Sequence, residues 1–225
     1  MKHIERIKKI IAWAYEMRFI DRNVFASFKV RKTEFESPIL HWQQLEKLQH
    51  KIFQVPMLNL VKDLFVFCCF TGLAPIDLQN LKHSQIYKDA DGLTWLTYKR
   101  TKSKIQANVP LLNPAIVLLE KYRLQKGEIL RNTVFPFVTN KDLNTNLKII
   151  SEICELGIPL NFYIARHTIA TTVTLLNGVP VTSIKGMMGH RKIESTMHYA
   201  KINKDVIARD MNSLNEKLKM LHKTE

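Results

Sequence analysis

Apolar residues recur at spacings of three and four along most of this chain, which is the pattern of helices that bury one face. Near the N-terminus, Ile4, Ile7 and Ile10 lie on one helical face, and basic residues lie on or beside the other. Gly72 comes at the end of the most apolar segment, where a glycine can adopt the left-handed conformation that ends a helix. The predicted helices span residues 1–18, 43–49, 57–70, 75–81, 113–125, 144–156, 166–176, 181–187 and 193–198, and a final helix carries an apolar stripe from Val206 to Leu221.

Three short segments in the middle of the chain have strand-like composition and are separated by turn-forming residues. They are residues 84–87, 93–99 and 105–111, and the stretches 89–92 and 101–104 join them. The sequence therefore predicts a mostly helical α+β fold with one small three-stranded antiparallel sheet.

A charged stretch with little helix or strand pattern, residues 29–36, follows the first helix. It predicts a linker. The chain is therefore expected to divide into a small N-terminal segment, residues 1–36, and a main domain over residues 37–225.

The chain is strongly basic. Its 225 residues include 34 lysines and arginines against 20 acidic residues, which gives a formal net charge of +14 and a pI near 9.7. This balance favours a polyanionic partner, nucleic acid above all, over a small acidic substrate. A solvated basic surface or a membrane face would carry the same charge, and composition does not separate them.

The three cysteines have neither the even count of a disulfide framework nor the spacing of a metal site, so no metal or other cofactor is expected. The most apolar run, Leu64 to Leu73, is roughly half as long as the about 20 residues that cross a bilayer. Charges are scattered through the first residues, and no small-residue cleavage site follows them. We expect a soluble protein of the cytoplasm, associated with the nucleoid when it binds DNA.

One stretch, residues 163–199, combines the groups that phosphodiester chemistry needs: a nucleophile, and positive groups for the non-bridging oxygens. It reads YIARHTIATTVTLLNGVPVTSIKGMMGHRKIESTMHY. Arg166 comes first, His190 follows a glycine, and Tyr199 lies nine residues after that histidine. The order and spacing in ARHT-x-AT, and in the run from Met188 to Tyr199, resemble the tyrosine recombinase (phage integrase) family.

The resemblance implies a role for each of these three residues. Tyr199 would attack DNA and form a phosphotyrosyl intermediate that keeps the bond energy, so rejoining needs neither ATP nor a metal. Arg166 would hold the scissile phosphate through two parallel hydrogen bonds, and His190 would donate another. Taken singly, the tyrosine could be a packed surface residue, the arginine a salt-bridge partner and the histidine a helix cap. Their common spacing favours the catalytic roles.

The turn between the second and third predicted strands adds a candidate proton donor. Lys102 is similar to the family lysine that protonates the leaving 5′ oxygen, a task for which its pKa must fall towards neutrality. Lys99, Arg100 and Lys104 surround it. A solvated basic turn that contacts only the DNA backbone is nearly as well supported for any one of these residues.

The chain departs from the family pattern after Thr71-Gly72-Leu73, where the first catalytic arginine normally stands and this chain has Ala74. The TGLA-x-x-D run resembles some integrases of mobile elements from Bacteroidetes. Arg100 and Arg191, both expected to contact DNA, are candidates to replace the missing group; otherwise the enzyme is slow or inactive. Asp77 matches a family acid that orders the site, although an acid at a helix N-terminus also complements the helix dipole.

A second departure is Tyr163, where the family usually has a histidine. A tyrosine is a poor general base at neutral pH, so its expected role is to position a phosphate oxygen or Tyr199. His167 and His198 are adjacent in sequence to key residues. On a helix they are expected to point elsewhere, as structural or backbone-contacting residues.

The resemblance also implies domains and partners. Residues 1–36 would be the C-terminal remnant of a core-binding domain that clamps double-stranded DNA, with its linker, and residues 37–225 the catalytic domain. In the family, a C-terminal tail docks onto a neighbouring protomer and couples cleavage to a four-subunit synapse. Packing of the stripe at residues 206–221 within its own chain is equally consistent with the pattern.

Together these features predict a site-specific recombinase or integrase that cleaves and rejoins DNA. The main alternative is a catalytically impaired, truncated DNA-binding remnant or regulator, which Ala74 and the missing clamp domain would favour. A type IB topoisomerase would use the same chemistry, but the spacing from His190 to Tyr199 and the small size argue against it.

Overall fold

The computed structural model describes residues 2–28, 38–123, 132–199 and 204–221. It divides the chain into two compact units, Met1–Glu36 and Ser37–Glu225. The predicted linker, residues 29–36, and the last residues of the helix predicted over 113–125 lie outside the described residues.

The first unit contains helix α1, Lys2–Glu16, as the apolar pattern predicts. The rings of Trp13 and Phe19 approach to 5.8 Å between centroids after the chain turns back. Ile7 and Ile10, on the apolar face, remain exposed.

The second unit contains the predicted mixture of helices with one small sheet, which confirms the mostly helical α+β class. Its elements are α2 Trp42–His50, α3 Pro56–Thr71, α4 Pro75–Gln79, β1 Ile86–Lys88, β2 Thr94–Lys99, β3 Gln106–Pro110, α5 Asn113–Arg123, α6 Asn140–Ile153, α7 Phe162–Thr168, α8 Val181–Met188, α9 Glu194–Met197 and α10 Lys204–Leu221.

Helix α3 is the centre of this unit. It is apolar on nearly every side, as a helix surrounded by others must be, and it packs against α2, α5, α6 and α7. Its Phe65 ring meets Phe162 of α7 edge to face, with centroids 5.9 Å apart. Gly72 ends the helix with φ +72°, the left-handed conformation expected from the sequence. The end of α3 is therefore fixed close to α7.

The sheet is antiparallel in the order β1-β2-β3. Leu96 pairs with Val109 and Tyr98 with Ala107, and these four residues form its buried face. Two backbone hydrogen bonds close the β2–β3 turn. The N–H of Arg100 donates to Ile105 O at 2.9 Å, and the N–H of Lys104 donates to Arg100 O at 2.9 Å. Because β3 packs on α8, this turn lies beside the end of α8.

Two helices begin earlier than the sequence predicts, because side chains cap their N-termini at earlier positions. Helix α7 begins at Phe162 rather than at Arg166, since Asn161 Oδ1 accepts the backbone N–H groups of Tyr163 and Ile164. Arg166 therefore lies in the last turn of α7 and does not head it. Helix α6 begins at Asn140 rather than at residue 144, since the Thr139 hydroxyl accepts the N–H of Asp142 at 3.2 Å.

Beyond Thr168 the helix widens into a π-helical segment, Ile169–Thr174, and then tightens before Gly178. Threonine hydroxyls donate hydrogen bonds to backbone carbonyls in this segment: the Thr174 hydroxyl donates to Ile169 O at 2.8 Å. The hydroxyl of Thr172, in the same π-helical segment, donates to Leu40 O at 2.6 Å. These bonds hold α7 and its continuation in one place.

The first strand is also displaced from its prediction. The sequence predicts a strand over residues 84–87, but residues 83–85 form a 3₁₀ turn, since the Gln85 side chain accepts the backbone N–H of Lys82 at 2.9 Å. Strand pairing begins at Ile86.

No helix in the described part of the chain is long and apolar enough to cross a membrane.

Candidate active site

An open cleft of about 860 Å³ lies where α4, the β2–β3 turn, α6, α7 and the end of α8 meet. All five predicted catalytic residues line it, together with two of the four predicted DNA contacts: Tyr199, Arg166, His190, Lys102, Tyr163, Arg100 and Arg191. Lys99 and Lys104 are exposed on the same hairpin outside this lining. Residues as far apart in sequence as Ala74 and Tyr199 thus share one cavity.

Arg166 is buried at the floor of the cleft and is held by two helix ends. Its Nη1 donates to the carbonyl of Gly72, just past α3, and its Nη2 donates to the carbonyl of Met188, the last residue of α8, at 2.7 Å. The last carbonyls of a helix lack partners within it and carry partial negative charge, so they suit a guanidinium. None of the ion pairs among the described residues involves Arg166.

Gly72 has a second requirement besides its positive φ. A β-carbon there would lie 2.9 Å from Met188 Sδ and 3.9 Å from Arg166 Nη1. Glycine therefore allows the end of α3 to approach both α8 and the guanidinium.

His190 lies against Arg166, immediately after α8. Its Nε2 is 3.2 Å from Arg166 Nη2, and its Nδ1 is 2.9 Å from the hydroxyl of buried Thr196. Because a guanidinium only donates, Nε2 accepts, and the ring proton lies on Nδ1 facing Thr196. Burial, with the charges of Arg166 and Arg100, lowers the pKa of His190 to about 4. The imidazole is therefore neutral near pH 7.

Tyr199 follows α9 and is partly buried beside these groups. Its ring is nearly parallel to that of His190, with centroids 6.2 Å apart and an interplanar angle of 14°. Burial raises the pKa of Tyr199, although the charges of Arg166 and Arg100 oppose the rise. The phenol is therefore protonated at neutral pH.

His167 does not point away from the site as expected. Its ring is buried, 4.0 Å from the ring of Tyr163 and 4.8 Å from that of Tyr199. Residues four apart share a helix face, so Tyr163 and His167 lie side by side on α7. Burial, followed by the charges of His198 and Arg166, lowers the pKa of His167 to about 4. The buried ring of His167 packs against the rings of both tyrosines, and Tyr163 itself is exposed.

The hairpin that carries Lys102 is tied to the site at two points. The backbone N–H of Thr101 donates to Asp77 Oδ1 of α4 at 2.9 Å, and the Ser103 hydroxyl donates to Gly189 O at 3.0 Å. Lys102 lies between them with its side chain exposed. Asp77 thus anchors the turn.

Several lining residues were not anticipated from the sequence. Asn140 and Asn144 come from the start of α6, Asn161 caps α7, and Ser195 lies in α9. The capping pattern at Asn161 was a usable signal. The position of α6 beside the cleft depends on tertiary packing, which no local sequence pattern indicates.

Within the described residues, no group of three or more histidine, cysteine, aspartate or glutamate side chains is placed to hold a metal ion.

The lowered pKa of His190 predicts its titration in the free protein. Its ring nitrogens, followed by NMR with His190→Gln to assign the signals, should titrate with a midpoint near 4. The unfolded chain binds this proton near pH 6.5. The free energy of unfolding should therefore fall as pH drops from 6.5 to 4, by on the order of 2 kcal/mol for each of His190 and His167. A His190 midpoint near 6.5 would contradict this environment.

Comparison with known proteins places these features in a family. The model of the phage integrase family matches residues 39–205. The tyrosine recombinase XerC of Oceanobacillus iheyensis is 26% identical over 202 residues, which cover 83% of this chain and 64% of that protein. Transposase B from transposon PsiTn554 of Staphylococcus aureus is 27% identical over 77% of this chain and 29% of its own length. The chain thus spans less than two thirds of either relative.

Solved structures share the fold at low sequence identity. A lambda integrase(75-356) dimer bound to a COC' core site superposes with a TM-score of 0.66 at 16% identity, over 86% of this chain and 69% of that one. XerH site-specific recombinase, in a post-cleavage complex with palindromic difH substrate, gives 0.62 at 18% identity, over 77% and 52%. Since the family match alone covers well over half of the sequence, the chain belongs to the phage integrase family, and its second unit has the tyrosine recombinase fold.

Proposed function

We propose that this chain cleaves and rejoins double-stranded DNA at specific sites, as a tyrosine recombinase or integrase. The observation that carries the proposal is the convergence of Tyr199, Arg166 and His190 in one cleft, with Lys102 on the hairpin that borders it. A phenol nucleophile, a fixed cation, a second polar group and a proton donor are the parts that phosphodiester transesterification requires.

Tyr199 would attack the scissile phosphorus, forming a 3′-phosphotyrosyl bond and releasing a 5′ oxygen. Its pKa is raised by burial, so the phenol is a weak nucleophile, and it would give its proton to water in the open cleft as the bond to phosphorus forms. Reversal by a 5′-hydroxyl would release Tyr199 and rejoin the strand. The bond energy stays in the ester, and neither step uses a nucleotide or a metal.

Arg166 would hold the non-bridging oxygens. The carbonyls of Gly72 and Met188 already hold its guanidinium in position, so binding phosphate requires little reorganisation. His190 accepts from Arg166 in the free protein. A phosphate that offsets the charge of Arg166 would favour protonation of Nε2, which would then donate to the same phosphate.

The other predicted residues would contribute around this centre. Lys102 would protonate the leaving 5′ oxygen, and the exposed Tyr163 would help to orient Tyr199 or a phosphate oxygen. Lys99, Arg100, Lys104 and Arg191 would contact the DNA backbone, together with part of the excess charge of +14.

Domain and assembly follow the same proposal. Residues 1–36 would be the end of a DNA-clamping domain with its linker, and residues 37–225 the catalytic domain. The chain would work as a tetrameric synapse on DNA, in the cytoplasm at the nucleoid. Exposed apolar residues of α10, namely Ile207, Met211, Leu214 and Leu218, suit a tail that docks onto a neighbour; the side chains of Val206 and Leu221 lie outside the described residues.

Replacing Tyr199 by phenylalanine should abolish covalent attachment to DNA, because only the phenol oxygen bonds to phosphorus. The measurement incubates the protein with nicked duplexes from its own genetic locus and looks for a denaturation-resistant adduct on a gel. Tyr87→Phe is the control, since Tyr87 is an exposed tyrosine of β1 and should retain the adduct. An adduct that survives Tyr199→Phe would rule out Tyr199 as the nucleophile.

Lys102→Ala should slow cleavage of ordinary DNA by about 10²-fold or more, because the leaving 5′ oxygen then lacks its proton donor. A duplex with sulfur in place of that bridging oxygen supplies a thiolate leaving group that needs no proton. On this substrate the Lys102→Ala variant should match the unmodified protein within a few fold. A defect of equal size on both substrates would show that Lys102 is not the general acid.

A further inference from the structure

Arg166 is a firmly placed cation in the cleft, and phosphoryl chemistry calls for more than one. Charge in the transition state spreads over both non-bridging oxygens of a phosphodiester. Arg166 already donates to two carbonyls, and His190 is neutral in the free protein. The wall formed by the start of α4 presents Ala74 and Pro75, which carry no charge. A second fixed cation must therefore come from another wall.

Arg100 is placed to supply it. It directly follows β2, and both its backbone N–H and its carbonyl are bonded across the β2–β3 turn. Its aliphatic stem passes over Gly189: a β-carbon on that glycine would lie 3.5 Å from Arg100 Cδ and 3.7 Å from Arg100 Cβ. Gly189 has φ +58°, so the same residue permits the chain reversal before His190 and the passage of this side chain.

The guanidinium of Arg100 is not fully engaged in hydrogen bonds or ion pairs with the described residues. Its Nε is buried and has no hydrogen-bond partner among the described residues, and no ion pair described for this structure includes it. Burial, then the charge of Arg166, lowers the pKa of Arg100. The carboxylate of Asp77 acts on Arg100 electrostatically but forms no ion pair with either arginine among the described residues. Two neighbouring cations in a cleft, without a carboxylate paired to them, form a site for an anion.

Arg191 is the other arginine in the lining. It is exposed and lies immediately after His190, whereas Arg100 is partly buried and its charge acts on Arg166, His190 and Tyr199. The structure thus favours Arg100 as the fixed cation.

We propose that Arg100 is a catalytic residue that binds the scissile phosphate directly as a second guanidinium beside Arg166, in place of the cation that Ala74 cannot provide. The proposal rests on the proposed transesterification at Tyr199. It moves Arg100 from a general backbone contact to the reacting phosphate itself.

The test compares Arg100→Gln with the unmodified chain. Glutamine keeps a carbon at the Cδ position that packs over Gly189 but removes the charge. Arg123→Gln is the matched control, because Arg123 is a surface arginine that pairs with Glu120 on α5. Thermal unfolding of each variant establishes that it is folded. The readout is the rate of adduct formation at Tyr199 on a nicked duplex with either a normal phosphate or a neutral methylphosphonate at the scissile position.

We expect Arg100→Gln to cleave the normal phosphate about 10²-fold more slowly, as when one preorganised donor to a developing anion is removed. On the methylphosphonate its deficit should shrink by at least tenfold, because the charge that Arg100 neutralises is absent. Arg123→Gln should stay within threefold of the unmodified chain on both substrates. A merely structural role for Arg100 would give equal deficits on the two substrates, and that result would overturn the proposal.

A second variant tests whether the lost rate is due to the missing charge. Ala74→Arg combined with Arg100→Gln returns a guanidinium to the opposite wall and should recover at least tenfold of the lost rate; no recovery in a folded double variant counts against the proposal. If the unmodified chain forms no adduct, the proposed function itself fails and this inference with it. If it forms one and Arg100→Gln stays within threefold, only this inference fails.

Discussion

The site depends on one buried charge and on the helix ends that satisfy it. Arg166 lies at the floor of the cleft with no carboxylate partner among the described ion pairs, a position that would be strongly unfavourable for an isolated cation. The carbonyls of Gly72 and Met188 offset that cost, and both belong to the C-terminal ends of helices. The ends of α3 and α8 must therefore meet at α7. The left-handed turn at Gly72 and the apolar packing of α3 serve that meeting.

The remaining parts of the site are arranged around this guanidinium. His190 reaches it because Gly189 reverses the chain at the end of α8, and Thr196 holds the other side of the imidazole. The same threonine accepts the N–H of Tyr199 through its carbonyl at 2.9 Å, so Tyr199 and His190 share one support. On the opposite wall, Asp77 and Gly189 O anchor the hairpin that carries Lys102. A bound phosphate would find these groups already placed, which is how electrostatic preorganisation lowers a barrier.

Much of this arrangement could be predicted from the sequence, and the failures have physical causes. The C-cap at Gly72 and the grouping of Arg166, His190 and Tyr199 follow from local conformation and from the spacing of motif residues. The predicted start of α7 at Arg166 is wrong because Asn161 caps the helix and starts it at Phe162. His167 is structural as expected, but its predicted direction is wrong because its four-residue separation from Tyr163 puts the two side chains on one helix face. The closeness of Arg100 to Gly189 depends on the packing of β3 against α8, which no local pattern encodes.

The most direct measurement is a crystal structure of the protein with orthovanadate and a nicked duplex whose break presents a free 3′-hydroxyl and 5′-hydroxyl. Vanadate adopts the five-coordinate geometry of phosphoryl transfer. We expect it in the cleft, joined at one apex to Tyr199 Oη and at the other to the 5′ oxygen, with Arg166 and Arg100 hydrogen-bonded to its equatorial oxygens. Vanadate bound outside the cleft, or bound there with Tyr199 turned away, would contradict a transesterification site built on Arg166.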